Sequence, residues 1–257
     1  MKLLYRTFCV LILVSGGVAA AQNSETVADA AQHNDRAVNL YIQGKLDEAI
    51  VEYRESLRIL PNDADVHFNL GIALYNLNRL EEAVAEYRES LRINANDADV
   101  HYHLGMGLQA QGKLDESVTE YRESLRINPD YGQAHTNLGS VFYSQKKLDE
   151  AVVEFREVLR ISPDDSSGHT NLGVALEDLG KPNEAIAEFR EAIRVGPNNV
   201  KARFELGDAL RLQGKREEAA QEFRVYLGLA SKMPAEKERM ERARAFLEEL
   251  ERPILSL

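Results

Sequence analysis

The chain predicts an all-α fold: a solenoid of six repeated helix pairs, closed at its C-terminal end by one more helix. Three observations carry this. His33, His67, His101, His135 and His169 stand 34 residues apart. The octapeptide Glu-Tyr-Arg-Glu-Ser-Leu-Arg-Ile occurs unchanged at 52–59, 86–93 and 120–127, and more loosely at 154–161 and 188–195. Within each period, apolar residues recur at three- and four-residue intervals in two successive runs, the spacing of an amphipathic helix. A fixed period of this length is the signature of stacked repeats.

The first 21 residues differ from the rest. Lys2 and Arg6 precede an apolar run from Phe8 to Val14, and small residues follow, ending in Ala19-Ala20-Ala21. That order reads as a secretory signal cut after Ala20 or Ala21, the run being shorter than the ~20 residues that span a bilayer. The single cysteine, Cys9, leaves with it, so the exported chain contributes no disulfide and no thiolate. Losing Lys2 and Arg6 leaves 29 basic against 42 acidic residues, a formal charge of −13. Such a balance argues against nucleic acid and anionic membrane surfaces, and no later stretch approaches a membrane span. The expected location is the periplasm or the outside of a bacterium-like cell.

Residues 22–29 read as a polar lead-in. Six blocks follow, 30–63, 64–97, 98–131, 132–165, 166–199 and 200–233, covering 204 of the 257 residues. In the second, Val66, Leu70, Ala73, Leu74 and Leu77 form one helical stripe and Leu80, Val84, Tyr87, Leu91 and Ile93 another. Between them Asn78, like Gly44, Gly112, Gly180 and Gly214 in other copies, suits the left-handed residue that ends a helix. Asp47, Glu81, Asp115, Asp149 and Glu217 then place negative charge at the start of the second helix, and Pro61, Pro129, Pro163 and Pro197 follow its end. Recurrent small residues, Gly71, Gly105, Gly139, Gly173 and Gly207 on the first helix and Ala49, Ala83, Ala151, Ala185 and Ala219 on the second, mark a close approach of the two. A Gly inside a helix costs ~1 kcal/mol relative to Ala, so its recurrence needs a packing reason. Pro234 opens the last segment, where Met240, Ala243, Phe246, Leu247 and Leu250 fall at helical spacing over 234–252 as a cap on the final repeat; 253–257 is a tail.

The period, the Leu-Gly pairs at 70–71, 104–105, 138–139, 172–173 and 206–207, the small residue of the second helix, the aromatic at Tyr53, Tyr87, Tyr121, Phe155, Phe189 and Phe223, and the closing Pro together resemble the tetratricopeptide repeat family. Terminal copies depart from the pattern: the first has Arg36-Ala37 for Leu-Gly, and the sixth lacks the Pro and carries Tyr226 in place of a small residue. His stands where the family most often has Trp. The resemblance implies a right-handed superhelix whose first helices line a concave groove, and it implies binding rather than chemistry.

On that resemblance the groove-facing positions include Tyr41, Phe68, Asn69, Ile72, Tyr75, Tyr102, His103, Met106, Asn137, Tyr143, Asn171, Phe204 and Glu205. Aromatic anchors give contact area at low entropic cost. The resemblance also offers Asn69, Asn137 and Asn171 as an asparagine ladder for an extended peptide, since an amide both donates and accepts, against the simpler reading that Asn is a common residue at this repeat position. Asp65 and Asp99 hold places where some members carry a basic clamp for a C-terminal carboxylate, so no such clamp is expected. Groove acids, Asp35, Asp65, Asp99, Glu177, Asp178, Glu205 and Asp208, outnumber Lys201 and Arg211 and favour a protein or peptide partner with basic and apolar residues.

No cofactor and no metal are expected. Equivalent histidines lie one helix pair apart, too far to share an ion, and read as half-buried structural residues. The stretch from Gly107 to Lys113 falls short of a phosphate-binding loop, with Leu114 where Ser or Thr must stand. Arg54, Arg58 and their equivalents interleave with Glu52 and Glu55 as a solvated lattice on the outer face. Only 32 residues of the exported chain lie outside the repeats, which argues against a catalytic core. The expectation is an exported, non-catalytic scaffold or adaptor that binds a protein segment in its groove. The alternatives are an accessory subunit of an envelope complex acting through its convex face or cap, and a holdase-type chaperone.

Overall fold

The computed structural model describes residues 19–252, with side chains from residue 26. The signal read over 1–21, apart from its last three residues, and the tail 253–257 lie outside the described residues. All regular structure among the described residues is helical, and none of the helices is long and apolar enough to cross a membrane. The chain divides into two compact units, up to Gly107 and from Leu108.

The first unit holds α1 (Ala19–Ile42), α2 (Leu46–Ile59), α3 (Ala64–Asn76), α4 (Leu80–Ile93) and most of α5 (Ala98–Ala110). Residues 22–29, expected as a lead-in, are helical and extend α1, because nothing in that polar stretch breaks a helix before the first apolar stripe. The second unit holds α6 (Leu114–Ile127), α7 (Gly132–Ser144), α8 (Leu148–Ile161), α9 (Ser166–Asp178), α10 (Pro182–Val195), α11 (Val200–Leu212), α12 (Arg216–Ala230), a 3-10 turn (Pro234–Glu236) and α13 (Lys237–Glu251). In the first unit α1 packs on α2, α2 on α3 and α3 on α4; in the second α6 packs on α7, α7 on α8, α8 on α9, α9 on α10, α10 on α11, α11 on α12 and α12 on α13.

The hairpins rest on the residues that recur. Ala49, Ala83, Ala151, Ala185 and Ala219 are fully buried, as are Tyr53, Tyr87, Phe189 and Phe223. A Cβ added at Gly71 would stand 2.5 Å from the Tyr87 ring, and one at Gly173 2.5 Å from Phe189. The ring of the second helix thus lies flat on bare backbone of the first, which accounts for glycine inside a helix despite its cost. The turn between the helices has φ of 76° at Gly44 and 58° at Asn78. The fourth hairpin turn has Lys146 at φ 60°, a left-handed conformation that an L side chain adopts at a cost.

First helices α3, α9 and α11 start from side-chain caps: Asp63 accepts from the amides of Asp65 and Val66, Asp165 from Ser167 and Asn199 from Ala202. Second helices lack such a cap where their first residue follows Lys or Arg, and acids in the first turn offset the helix dipole instead. Across the helix pairs, Ser56 of α2 and Ser90 of α4 donate to the carbonyls of Ala30 in α1 and Ala64 in α3 at 2.8 Å.

The last repeat has no successor, and α13 takes that place. Ala243 and Leu250 are buried, Phe246 meets the Phe223 ring at 5.6 Å, and Arg216 donates to the carbonyls of Glu249, Leu250 and Arg252 at the open end of α13. Tyr226, the large residue where a small one is usual, is fully buried and donates to Glu236 at 2.9 Å. The cap, and not another first helix, fills the volume beside it.

Candidate functional site

Helical geometry decides which first-helix residues remain available. Because the repeat is 34 residues, each first-helix position has an equivalent in the other repeats, and such a set of equivalents makes one column of the sequence. Three columns stay half-exposed where the core positions beside them are buried. One runs Val38, Ile72, Met106, Ser140, Val174, Asp208. A second runs Tyr41, Tyr75, Gln109, Tyr143, Glu177, Arg211, and a third Asn69, His103, Asn137, Asn171, Glu205. They are spaced by three residues on each helix, so they share one face.

Most of the residues expected to face a groove fall in these columns, but Phe68, Tyr102 and Phe204 belong to a fourth, and in it Tyr102 and Phe204 turn into the core. Tyr102 is only 8% exposed, its ring edge-on to His103 at 5.1 Å. Phe204 is buried, edge-on to Tyr226 at 5.4 Å and Phe223 at 5.8 Å, with the guanidinium groups of Arg239 and Arg242 above its ring at 5.4 and 5.2 Å. Both belong to the core and not to a groove. The physical reason is one residue of helix: that column lies ~100° round from its neighbour and faces the adjoining helices. Thr170, in the same column, is likewise buried, while Asn34, Phe68 and Thr136 are half-exposed. Val38, Ser140 and Val174 were missed, although the 34-residue period alone places them beside Ile72 and Met106.

In the first unit the face is aromatic and apolar. Phe68 stands edge-on to His103 at 5.0 Å, both over the buried Tyr87 ring at 6.0 Å, and Asn76 donates to the Tyr41 hydroxyl at 2.7 Å. His103 uses Nδ1 to donate to the Asp99 carbonyl at 2.8 Å; burial pushes its pKa down, leaving it a neutral ring. Ile72, Tyr75 and Met106 complete the surface, half-exposed.

In the second unit the same columns are polar and acidic. Tyr143 donates to Asp178 at 2.8 Å, and Arg211 pairs with Asp208 at 2.6 Å. Burial, with the nearby charges of Glu205, Asp208 and Asp178, raises the Glu177 carboxyl to about 7. Burial also raises Glu205, while Arg239, Lys201 and Arg242 pull it back. The asparagines do not stand as a vacant ladder here. Asn137 donates to the Tyr121 hydroxyl at 3.4 Å, and Asn171 accepts from Lys201 at 3.3 Å. Asn69, in the first unit, is half-exposed.

The histidine series has a different surrounding from the one the sequence suggested. Glu52 and its equivalents, assigned to an outer charge lattice, turn inward to histidine: His33–Glu52 and His67–Glu86 are 2.6 Å apart, His135–Glu154 and His169–Glu188 2.7 Å. The outer lattice is built by other acids, as in Arg58–Glu55, Arg54–Glu82 and Arg190–Glu218. Its members are exposed, so each pair contributes little. Among the described residues no three His, Cys, Asp or Glu side chains gather as a metal site. A depression of about 450 Å³ lies on the linker, lined by Leu60 to Asp65 and Asn94.

Family models for the tetratricopeptide repeat match residues 39–78, 73–106, 108–146 and 139–180, and a further one 170–234. No curated protein resembles the chain closely enough in sequence to count as a relative. Among solved structures, PilF of Pseudomonas aeruginosa superposes with a TM-score of 0.70 at 21% identity, over 87% of this chain and 99% of that one. YrrB, described as a TPR protein with an unusual peptide-binding site, gives 0.61 at 21% identity over 72% and 94%. MamA of Desulfovibrio magneticus gives 0.63 at 22% over 66% and 97%. At such identities the likeness is one of fold.

Proposed function

The chain belongs to the tetratricopeptide repeat family, and on that premise we propose that it is a non-catalytic scaffold that holds a protein segment against the exposed face of its first helices. The observation that carries this reading is the contrast between columns. Positions that build the stack are nearly invariant from repeat to repeat, while the half-exposed columns change residue at almost every step. Packing does not dictate the latter, and their content, Tyr41, Ile72, Tyr75 and Met106 in the first unit and Tyr143, Glu177, Glu205 and Asp208 in the second, is that of a contact surface. Half-exposed aromatic and apolar side chains supply contact area. The partly buried acids carry a cost when ionised that a cationic group on a partner removes, which favours a segment mixing basic with apolar residues. YrrB shares the fold and is described as binding peptide, which supports the same reading here. Residues 1–21 support export, and action in the periplasm or outside the cell.

A photo-crosslinking residue placed at Ile72, and separately at Val153, tests this in the producing cell. Val153 is 57% exposed on second helix α8. A discrete adduct from position 72 with none from 153 is the expected result. Adducts from 153 alone overturn it in favour of an accessory subunit that acts through its outer face. A continuous smear from position 72 replaces the dedicated scaffold with a holdase.

A further inference from the structure

In three repeats the histidine stands between two hydrogen-bond acceptors. In His67, Nδ1 is 2.6 Å from the Glu86 carboxylate and Nε2 is 3.1 Å from the Pro61 carbonyl. In His135 the distances are 2.7 Å to Glu154 and 3.1 Å to the Pro129 carbonyl. In His169 they are 2.7 Å to Glu188 and 2.9 Å to the Pro163 carbonyl. A carbonyl cannot donate, and an ionised carboxylate cannot either. A neutral imidazole carries one N–H and satisfies only one side, leaving a lone pair facing an oxygen; an imidazolium satisfies both. The rings are 10 to 12% exposed in their side chains, so water is poorly placed to relieve a mismatch.

The sixth repeat repeats the arrangement with a permanent cation. Arg203 occupies the histidine position. Its Nη1 donates to Glu222 at 2.9 Å, and Nε and Nη2 donate to the Pro197 carbonyl at 3.2 and 3.0 Å. Guanidinium has donors in both directions and no acceptor, so a group that can only donate fits this place without rearrangement. Position by position, the partners keep the same offsets: a glutamate 19 residues on and a linker carbonyl 6 residues back.

We propose that His67, His135 and His169 are held in the folded chain as imidazolium ions, each clasping the first helix of its repeat to the second helix and to the preceding linker, so that the repeats are fastened more tightly in mildly acidic than in mildly alkaline surroundings. The proposal is independent of what the chain binds. The charges around each ring favour it. Glu154 and Glu157 on α8 face His135; Glu86 and Glu89 on α4 face His67, and Glu188 and Glu191 on α10 face His169. The outer acid of each pair is shared with Arg92, Arg160 or Arg194. For His135 burial opposes the charge, but the hydrogen bonds to Glu154 and the Pro129 carbonyl outweigh it and leave the pKa raised. A raised histidine contributes stability that is fully present below its unfolded value of ~6.5 and is lost as pH rises through the folded value.

Histidine-selective nitrogen NMR of the folded full chain at pH 7 tests it directly. His67, His135 and His169 are expected to show protons on both nitrogens, while His103, donating through Nδ1 with its pKa pushed down, reports a neutral ring in the same sample. Single-proton tautomers at the three positions overturn the proposal. Thermal unfolding supplies a second readout: the melting temperature should fall between pH 6 and 9, and H67R/H135R/H169R should flatten that fall. An equal fall in a folded triple variant also overturns the proposal, and if the variant does not fold, the NMR result on the natural chain decides.

Discussion

The exposed first-helix columns of the two units are built on the same backbone and carry opposite chemistry. In the first unit the positions three apart read Val38, Tyr41 and Ile72, Tyr75; in the second, Val174, Glu177 and Asp208, Arg211. The buried neighbours barely change, with Leu70, Ala73 and Leu74 in one and Leu172, Ala175 and Leu176 in the other. A repeat protein thus separates two tasks that a globular core mixes. The buried columns set stability by nearest-neighbour stacking, and the exposed ones are left to select partners.

That separation can be broken at the point where the two columns were confused. Phe204→Ala removes a buried ring between Tyr226 and the cap, and a loss of about 3 to 5 kcal/mol is expected in urea unfolding. Crosslinking from Ile72 in the first unit should be unaffected under conditions where the variant is folded. A small stability loss accompanied by loss of partner capture would return Phe204 to the contact surface.

A smaller effect is expected on the acidic face. The Glu177 carboxyl titrates at about 7 in the fold and at ~4.3 in the unfolded chain. The native state therefore holds more protons than the unfolded one between these values, and stability falls as pH rises through that window. Glu177→Gln removes the ionisation, so the variant should be more stable than the natural chain above pH 7 by on the order of 1 kcal/mol, discounted for its half-exposed side chain. No difference between the melting curves at pH 8 would show that the cluster is already neutralised.

The smallest effect compares one turn in each unit. Lys146→Gly relieves a left-handed backbone and should gain about 1 kcal/mol, whereas Asn78→Gly should gain less, asparagine being the better tolerated residue there. Chemical unfolding midpoints of the two variants check the ranking, and an equal gain would show that side-chain contacts at Lys146 offset its strain.

Much of this was legible in the residues alone because the information is periodic. The 34-residue recurrence, the left-handed residue in the turn and the Gly set against an aromatic are each repeated several times, and repetition distinguishes a packing requirement from chance. Features that involve partners chosen across helices were not legible. Glu52 and Glu55 differ by three residues on one helix, yet Glu52 turns to His33 at 2.6 Å and Glu55 to Arg58 on the surface. Composition does not distinguish them; the crossing of the first helix above does.

The sequence by itself determined the class of fold, the length of the repeat and the residues that close each hairpin, because those follow from local propensity and from a pattern that every copy must satisfy. Tertiary structure decided which face of each first helix is left to solvent, that Phe204 and Tyr102 belong to the core, and that every clasping histidine meets a carboxylate and a carbonyl. Those outcomes depend on where neighbouring helices place their side chains, and a one-residue step, ~100° around a helix, is enough to move a side chain from contact surface to core.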